Sequence, residues 1–265
     1  DIESVFILLS AVGNVNELIV VDNNLHELQP MEITPVPSLQ ELLIRECGLT
    51  SSDIESLFTV LSGSGNVKTL TLALNNLHML QPLESIPIPS MQTLLLYECG
   101  LKSSDVEALF SLLTAVGCVK ELFLVDNNLH GLQPMEITAV PSLRTLNLHQ
   151  CDLKSSDIAS LFNLLGAAGS VQELFLVDNN FHELQPMKIA PVPSLLTLHI
   201  HRCGLTNSDL ESLFTLVSAA GSVEELVLLD NNLRHLQSIK IAPVPSLKTL
   251  HLHKCGLRNS DIEPL

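Results

Sequence analysis

Residues 119–153 read VKELFLVDNNLHGLQPMEITAVPSLRTLNLHQCDL, and the stretch says nearly the same thing twice. Its first half follows V-x-x-L-x-L-x-x-N-x-L and its second L-x-x-L-x-L-x-x-C-x-L, so Asn127 and Cys151 share one slot of a common pattern. Leucines two apart in a short run fall on one face of a strand, and the Asn/Cys slot marks where the chain leaves it. Outward from this stretch, the segment C-G-L-T-S-S-D-I-E-S-L-F at Cys47 returns at Cys99 and, with small changes, at Cys151, Cys203 and Cys255. The Asn slot recurs at Asn23, Asn75, Asn127, Asn179 and Asn231, so each period is 52 residues, without insertion or deletion. A fixed period of this size marks stacked supersecondary units, each burying its apolar face against the next.

The repeat lengths and the L-x-x-L-x-L-x-x-N/C-x-L core resemble the leucine-rich repeat. Alternation of Asn-type and Cys-type copies resembles the ribonuclease-inhibitor-like subfamily, the type also found in intracellular immune receptors of the nucleotide-binding kind. That resemblance covers essentially the whole chain. It implies an α/β solenoid, a leucine-rich repeat horseshoe with a parallel sheet on its concave face and alternating helical and extended, proline-containing segments on the convex side. Residues 1–265 are then expected to form a single leucine-rich repeat domain of about ten sub-repeats in 52-residue pairs, without the polar terminal repeats that usually close a solenoid. One departure concerns the Asn-to-Cys return, where Pro134 and Pro141 oppose the helix usual in that subfamily and predict an extended path.

The Cys-to-Asn return reads as helical. Ser52 to Glu55 has the form of a capping box, repeated at Ser104 to Glu107, Ser208 to Glu211 and Ser260 to Glu263. Ile54, Leu57, Phe58 and Leu61 follow at helical spacing, and Gly65, Gly117, Gly169 and Gly221 stand where each helix should stop. The Asn amide both donates and accepts, which suits a ladder of inward side chains at the strand exit, while the smaller thiol suits an apolar slot. Successive Cys-slot residues lie two strands apart, roughly 9 to 10 Å, too far for a disulfide. Only Cys118 lies off the ladder. Reduced thiols and the absence of any N-x-S/T sequon point to an intracellular, cytoplasmic protein, with a naturally unglycosylated secreted form as the alternative.

Composition excludes several classes of function. The chain carries a net charge of −16 and is 46% hydrophobic, and no apolar run reaches the roughly 18 residues of a membrane span, so membrane insertion is not expected. No Lys/Arg stripe is available for phosphate neutralisation, which argues against nucleic acid. There is no phosphate-cradling glycine loop and no G-x-S-x-G elbow, and the repeated Ser-Ser-Asp is explained by capping, so the chain reads as non-enzymatic and without a cofactor.

Function is then expected on the strand positions that the repeat does not fix. Alternation turns these outward, giving columns Ile19, Thr71, Phe123, Phe175, Val227 and Val21, Ala73, Val125, Val177, Leu229 on the Asn-type strands. The Cys-type strands give Leu43, Leu95, Asn147, His199, His251 and Arg45, Tyr97, His149, His201, His253. An apolar, aromatic and imidazole surface rimmed by carboxylates has the make-up of an interface. Phe123, Phe175, Tyr97, His149, His199, His201, His251 and His253 are therefore the candidate contacts with a protein or peptide ligand. The H-x-H pairs could hold zinc, but the strand between them carries Val227 and Leu229, so no metal site is assigned. His26, His78, His130, His182 and His235 read as turn residues. One column changes sign, Glu46, Glu98, Gln150, Arg202, Lys254, and would orient a long ligand. The expected role is a protein–protein recognition scaffold, and the resemblance implies an inhibitor-like or ligand-sensing use. An extracellular recognition module for protein or glycan, and a structural protein self-associating through uncapped ends, are the alternatives.

Overall fold

A computed structural model describes residues 2–29, 35–83, 86, 88, 90–234, 241 and 243–258. His235 and the segment Ser260 to Glu263 lie outside the described residues. The chain packs as two compact units, residues 1–127 and 128–265. The first contains α1 (Ile2–Val12), β1 (Glu17–Val21), β2 (Glu41–Arg45), α2 (Ile54–Ser64), β3 (Thr69–Ala73), β4 (Thr93–Tyr97), α3 (Val106–Val116) and β5 (Glu121–Val125). The second contains β6 (Thr145–His149), α4 (Ile158–Ala168), β7 (Glu173–Val177), β8 (Thr197–His201), α5 (Leu210–Ala220), β9 (Glu225–Leu229) and β10 (Thr249–His253).

Within each unit neighbouring strands pair parallel in chain order, and the repeat sets the register: Leu70 lies opposite Leu42 and Leu94, and Leu198 opposite Leu174 and Leu226. In each unit the parallel strands, with a helix after β2, β4, β6 and β8, have the α/β leucine-rich repeat arrangement expected from the sequence. Between the Asn-type and Cys-type strands the described residues form neither helix nor strand, in keeping with the prolines there. Inward leucines such as Leu94, Leu122, Leu174 and Leu226 are fully buried, as are Phe58 and Phe162 from the helices. Each such side chain contributes about 1.5 to 3 kcal/mol through removal from water. The helices stop where expected, with Gly65, Gly117, Gly169 and Gly221 left-handed at φ 85°, 82°, 75° and 83°.

The Asn/Cys alternation has a specific cause. Asn75 Oδ1 accepts from the backbone N–H groups of Cys47 and Leu49 (3.2 and 3.1 Å), while its Nδ2 donates to Ile44 O and Ala73 O (3.1 and 2.9 Å). Asn127, Asn179 and Asn231 repeat the same four bonds. The ladder therefore runs through backbone: each Asn fastens the turn of the preceding Cys-type strand. At the Cys slot a donor suffices, and the Cys99 and Cys203 thiols point at Leu72 O and Leu176 O (3.1 and 3.0 Å). Burial pushes both thiols up to about 12, which leaves them protonated and inert.

Helix capping differs from the expectation. The reciprocal contact is made two residues before the expected Ser52-x-x-Glu55 box, between Thr50 and Asp53, around a 3-10 turn over Ser51–Asp53 that leads into α2. Asp53 Oδ2 accepts from the Thr50 N–H and hydroxyl (2.8 and 2.7 Å), and its Oδ1 accepts from the Leu28 N–H (2.9 Å). Asp53, Asp105, Asp157 and Asp209 are all buried, each gripping its own turn and the return segment of the preceding Asn-type copy. Burial acts to raise Asp53, but the Thr50 hydroxyl and N–H and the Leu28 and His26 donors outweigh it, and the carboxyl stays below its ordinary value. The turn histidines complete the grip, with His78 Nδ1 and His130 Nδ1 each 2.9 Å from the buried carboxylate of Asp105 and Asp157.

Candidate functional site

In a strand of this lattice the odd positions must face away from the core, and the burial pattern follows that rule along β4, β6, β7 and β8. In the first unit Tyr97 ends β4 and is 39% exposed, and Phe123 is half-buried on β5 beside Leu95. Hydrogen bonds to Glu98, then to Asp126, raise the Tyr97 phenol above its ordinary value, which keeps it a donor. Ile19 and Val21 are 56% and 42% exposed on the same face.

The second unit collects the other six candidates. The Phe175 and His199 rings stack at 4.1 Å with planes 9° apart, and His201 meets His199 edge-on at 5.4 Å. His199 faces Val227, which has His251 on its other side. Flanked by these imidazoles, Val227 is only 7% exposed. Burial, then the charges of His201 and His251, pushes His199 down to about 4, and burial followed by Arg202 lowers His201. Both rings are therefore neutral at physiological pH. His149 Nε2 lies 2.9 Å from Asp178, whose carboxylate also receives a two-pronged contact from Arg202. That guanidinium chiefly holds Asp178 below the ordinary carboxylate range. His251 pairs with Glu225 at 3.0 Å, Lys254 approaches Asp230 at 4.0 Å, and His253 is exposed.

The sign-changing column sits just past each strand in left-handed backbone, with φ of 51° at Glu46, 48° at Glu98, 51° at Gln150, 49° at Arg202 and 54° at Lys254. Sequence reasoning missed three features. The paired charges at Asp178–Arg202 and Asp230–Lys254 were available as opposite signs in adjacent slots. The buried His–Asp contacts carried no signal beyond their shared period. An open cleft of about 630 Å³ between the loop after β7 and the start of α4, lined by Lys154, Ser155, Asn180, His182 and Met187, had none. Among the described residues no group of three or more His, Cys, Asp or Glu side chains is placed to hold a metal ion, and no helix is long and apolar enough to cross a membrane.

The chain is 26% identical over 253 residues to a ribonuclease inhibitor of Mus musculus, covering 85% of this chain and 54% of that protein. A ribonuclease inhibitor of Sus scrofa is 25% identical over 253 residues, with 88% and 56% covered. NACHT, LRR and PYD domains-containing protein 5 of Homo sapiens is 25% identical over 235 residues, with 83% and 20% covered. The chain thus spans about half the length of the ribonuclease inhibitors it matches. No protein-family model matches it.

Proposed function

We propose that this chain, a ribonuclease-inhibitor-like leucine-rich repeat protein, is a non-enzymatic scaffold that binds a protein or peptide on the outward face of its strands. The observation that carries the reading is the cluster on β7 and β8. Phe175, His199 and His201 form a half-buried, uncharged aromatic surface inside a rim of paired charges. Neutral aromatic centres with polar rims are what protein interfaces are made of, and residues on rigid strands hold the surface in shape. Tyr97 and Phe123 extend the reading to the first unit. The name ribonuclease inhibitor, carried by two relatives, supports an inhibitor-like role, the resemblance to intracellular immune receptors supports a ligand-sensing one, and six free cysteines, five of them buried, support an intracellular setting.

The test is a pull-down from lysate of the source cell, comparing the intact chain with a Phe123→Ser/Phe175→Ser/His201→Ser variant shown to be folded by circular dichroism. A protein retained by the intact chain and lost by the variant supports the assignment. Equal capture by both places recognition elsewhere on the molecule.

A further inference from the structure

Among the described residues, six buried side-chain atoms lack a hydrogen-bond partner, and they divide cleanly in kind. Ser38, Ser142 and Ser194 occupy one repeat position in the Asn-to-Cys returns, where their hydroxyls recur with the fold. The other three are Asn147 Oδ1, His199 Nδ1 and His201 Nε2, all on the outward face of β6 and β8 in the second unit. Unpartnered polar atoms are expensive in a folded protein, and here two of the three flank one aromatic ring while the third, on His201, meets the His199 ring, which marks a place where a partner is missing.

Phe175 is the centre of that group. Its register neighbours are Asn147 on one side and His199 on the other. One ring face is taken by His199, stacked at 4.1 Å, and the register neighbour on the other side is Asn147, a much shorter side chain. At the start of β7, two residues before Phe175 and on the same face, stands Glu173. Its carboxylate is exposed and has no ion pair among the described residues, whereas Asp178 and Glu225 are paired with Arg202 and His251. No bond anchors Asn147 Oδ1, so turning the amide toward a ligand breaks nothing.

We infer that the slot over Asn147, beside Phe175, is a receptor for an arginine side chain of the bound protein. A guanidinium is flat, so it stacks on the phenyl face, and its N–H groups reach the Asn147 amide oxygen and the Glu173 carboxylate together. An ammonium offers a point charge and no plane, so lysine satisfies the carboxylate but not the ring. The neutral His199 behind Phe175 adds no repulsion to a cation. This assignment rests on the strand-face reading above and gives it a chemistry.

The experiment uses the full chain and two blocked peptides, acetyl-Gly-Arg-Gly-amide and acetyl-Gly-Lys-Gly-amide, titrated at physiological salt and followed by NMR at the Asn147 side-chain amide and the Phe175 ring. The expected result is saturable shifts at both groups with the arginine peptide and affinity at least tenfold weaker for the lysine peptide. Phe175→Leu, which keeps an apolar side chain in the slot, should bring the two peptides within twofold of each other. Asn147→Ala should weaken only the arginine peptide. Equal affinity for both peptides in the intact chain overturns the inference, as does an arginine preference that survives Phe175→Leu. If a pull-down partner depends on Phe175 while the peptides bind alike, the arginine slot fails and the protein-binding face stands. If the arginine preference holds while partner capture ignores the face, the reverse is true.

Discussion

Replacing Asn75 by alanine tests the account of the Asn slot. The substitution removes four hydrogen bonds, but their consequences differ. Ala73 O keeps a bond from the Glu46 N–H at 3.0 Å, and carbonyls tolerate partial satisfaction. The Cys47 and Leu49 N–H groups, in contrast, lose their acceptor in a buried turn. At about 1 to 3 kcal/mol for each orphaned buried donor, the loss is about 4 kcal/mol, a large share of the roughly 5 to 15 kcal/mol that stabilises an ordinary domain. Asn23 fills the same slot, yet it is exposed and its amide donates to Val21 O at 2.8 Å without bracing a buried turn, so Asn23→Ala should stay within about 0.5 kcal/mol. Urea unfolding followed by circular dichroism gives both values, and amide exchange at Cys47 and Leu49 reports the local opening. Asn75→Ala and Asn23→Ala variants of equal stability would refute the claim that the slot works by bracing the upstream turn.

Asp152 holds a left-handed φ of 52° at the position where Gly48, Gly100, Gly204 and Gly256 stand, so Asp152→Gly should raise the urea midpoint, by about 0.5 to 1 kcal/mol in stability. Because Asp53 sits below its ordinary value, its contribution is whole above about pH 4 and is lost as pH falls through the folded value. Asp53→Asn should flatten that acid limb in a pH series of urea midpoints, and an unchanged limb would count against the grip described for this carboxylate. His199 should titrate by NMR near pH 4, well below a free imidazole. The unfolded chain takes up this proton first, so stability should fall as pH drops from about 6.5 to about 4, and a His199 resonance titrating above pH 6 would show that the ring is not shielded as described.

The strands, the helices and the Asn slot were legible because they are copied every 52 residues, and a pattern repeated five times leaves little freedom in register. Capping was misplaced for a reason the local sequence contains: T-S-S-D-I-E offers two overlapping boxes, Thr50 with Asp53 and Ser52 with Glu55. The choice between them is made by the Leu28 N–H and His26, which pull the Asp53 carboxylate into the interior from 25 and 27 residues upstream. No reading of six residues contains that information. Paired faces of the site failed in the same way. Alternation said which side chains turn outward, but exposure depends on neighbours across the sheet. Ile19 and Val227 fill one column, yet they are 56% and 7% exposed, because Val227 lies between two imidazoles.

What the repeats copy is therefore architecture, and function is to be sought where the copies part. Asn147 replaces the leucine held by Leu43 and Leu95, and with that single change Phe175 has a shorter side chain with an unpartnered amide oxygen as its register neighbour. The slot after each strand diverges as well. In the second unit Arg202 and Lys254 answer Asp178 and Asp230, while in the first unit Glu46 and Glu98 stand in the slots adjacent to Asp22 and Asp126 and add like charge. The first unit thus presents an acidic rim relieved only at Glu46, by Arg45 at 3.7 Å, and the second a rim of paired charges around an aromatic slot. One lattice carries two surfaces of different chemistry, and a cationic side chain that also needs a flat partner belongs on the second.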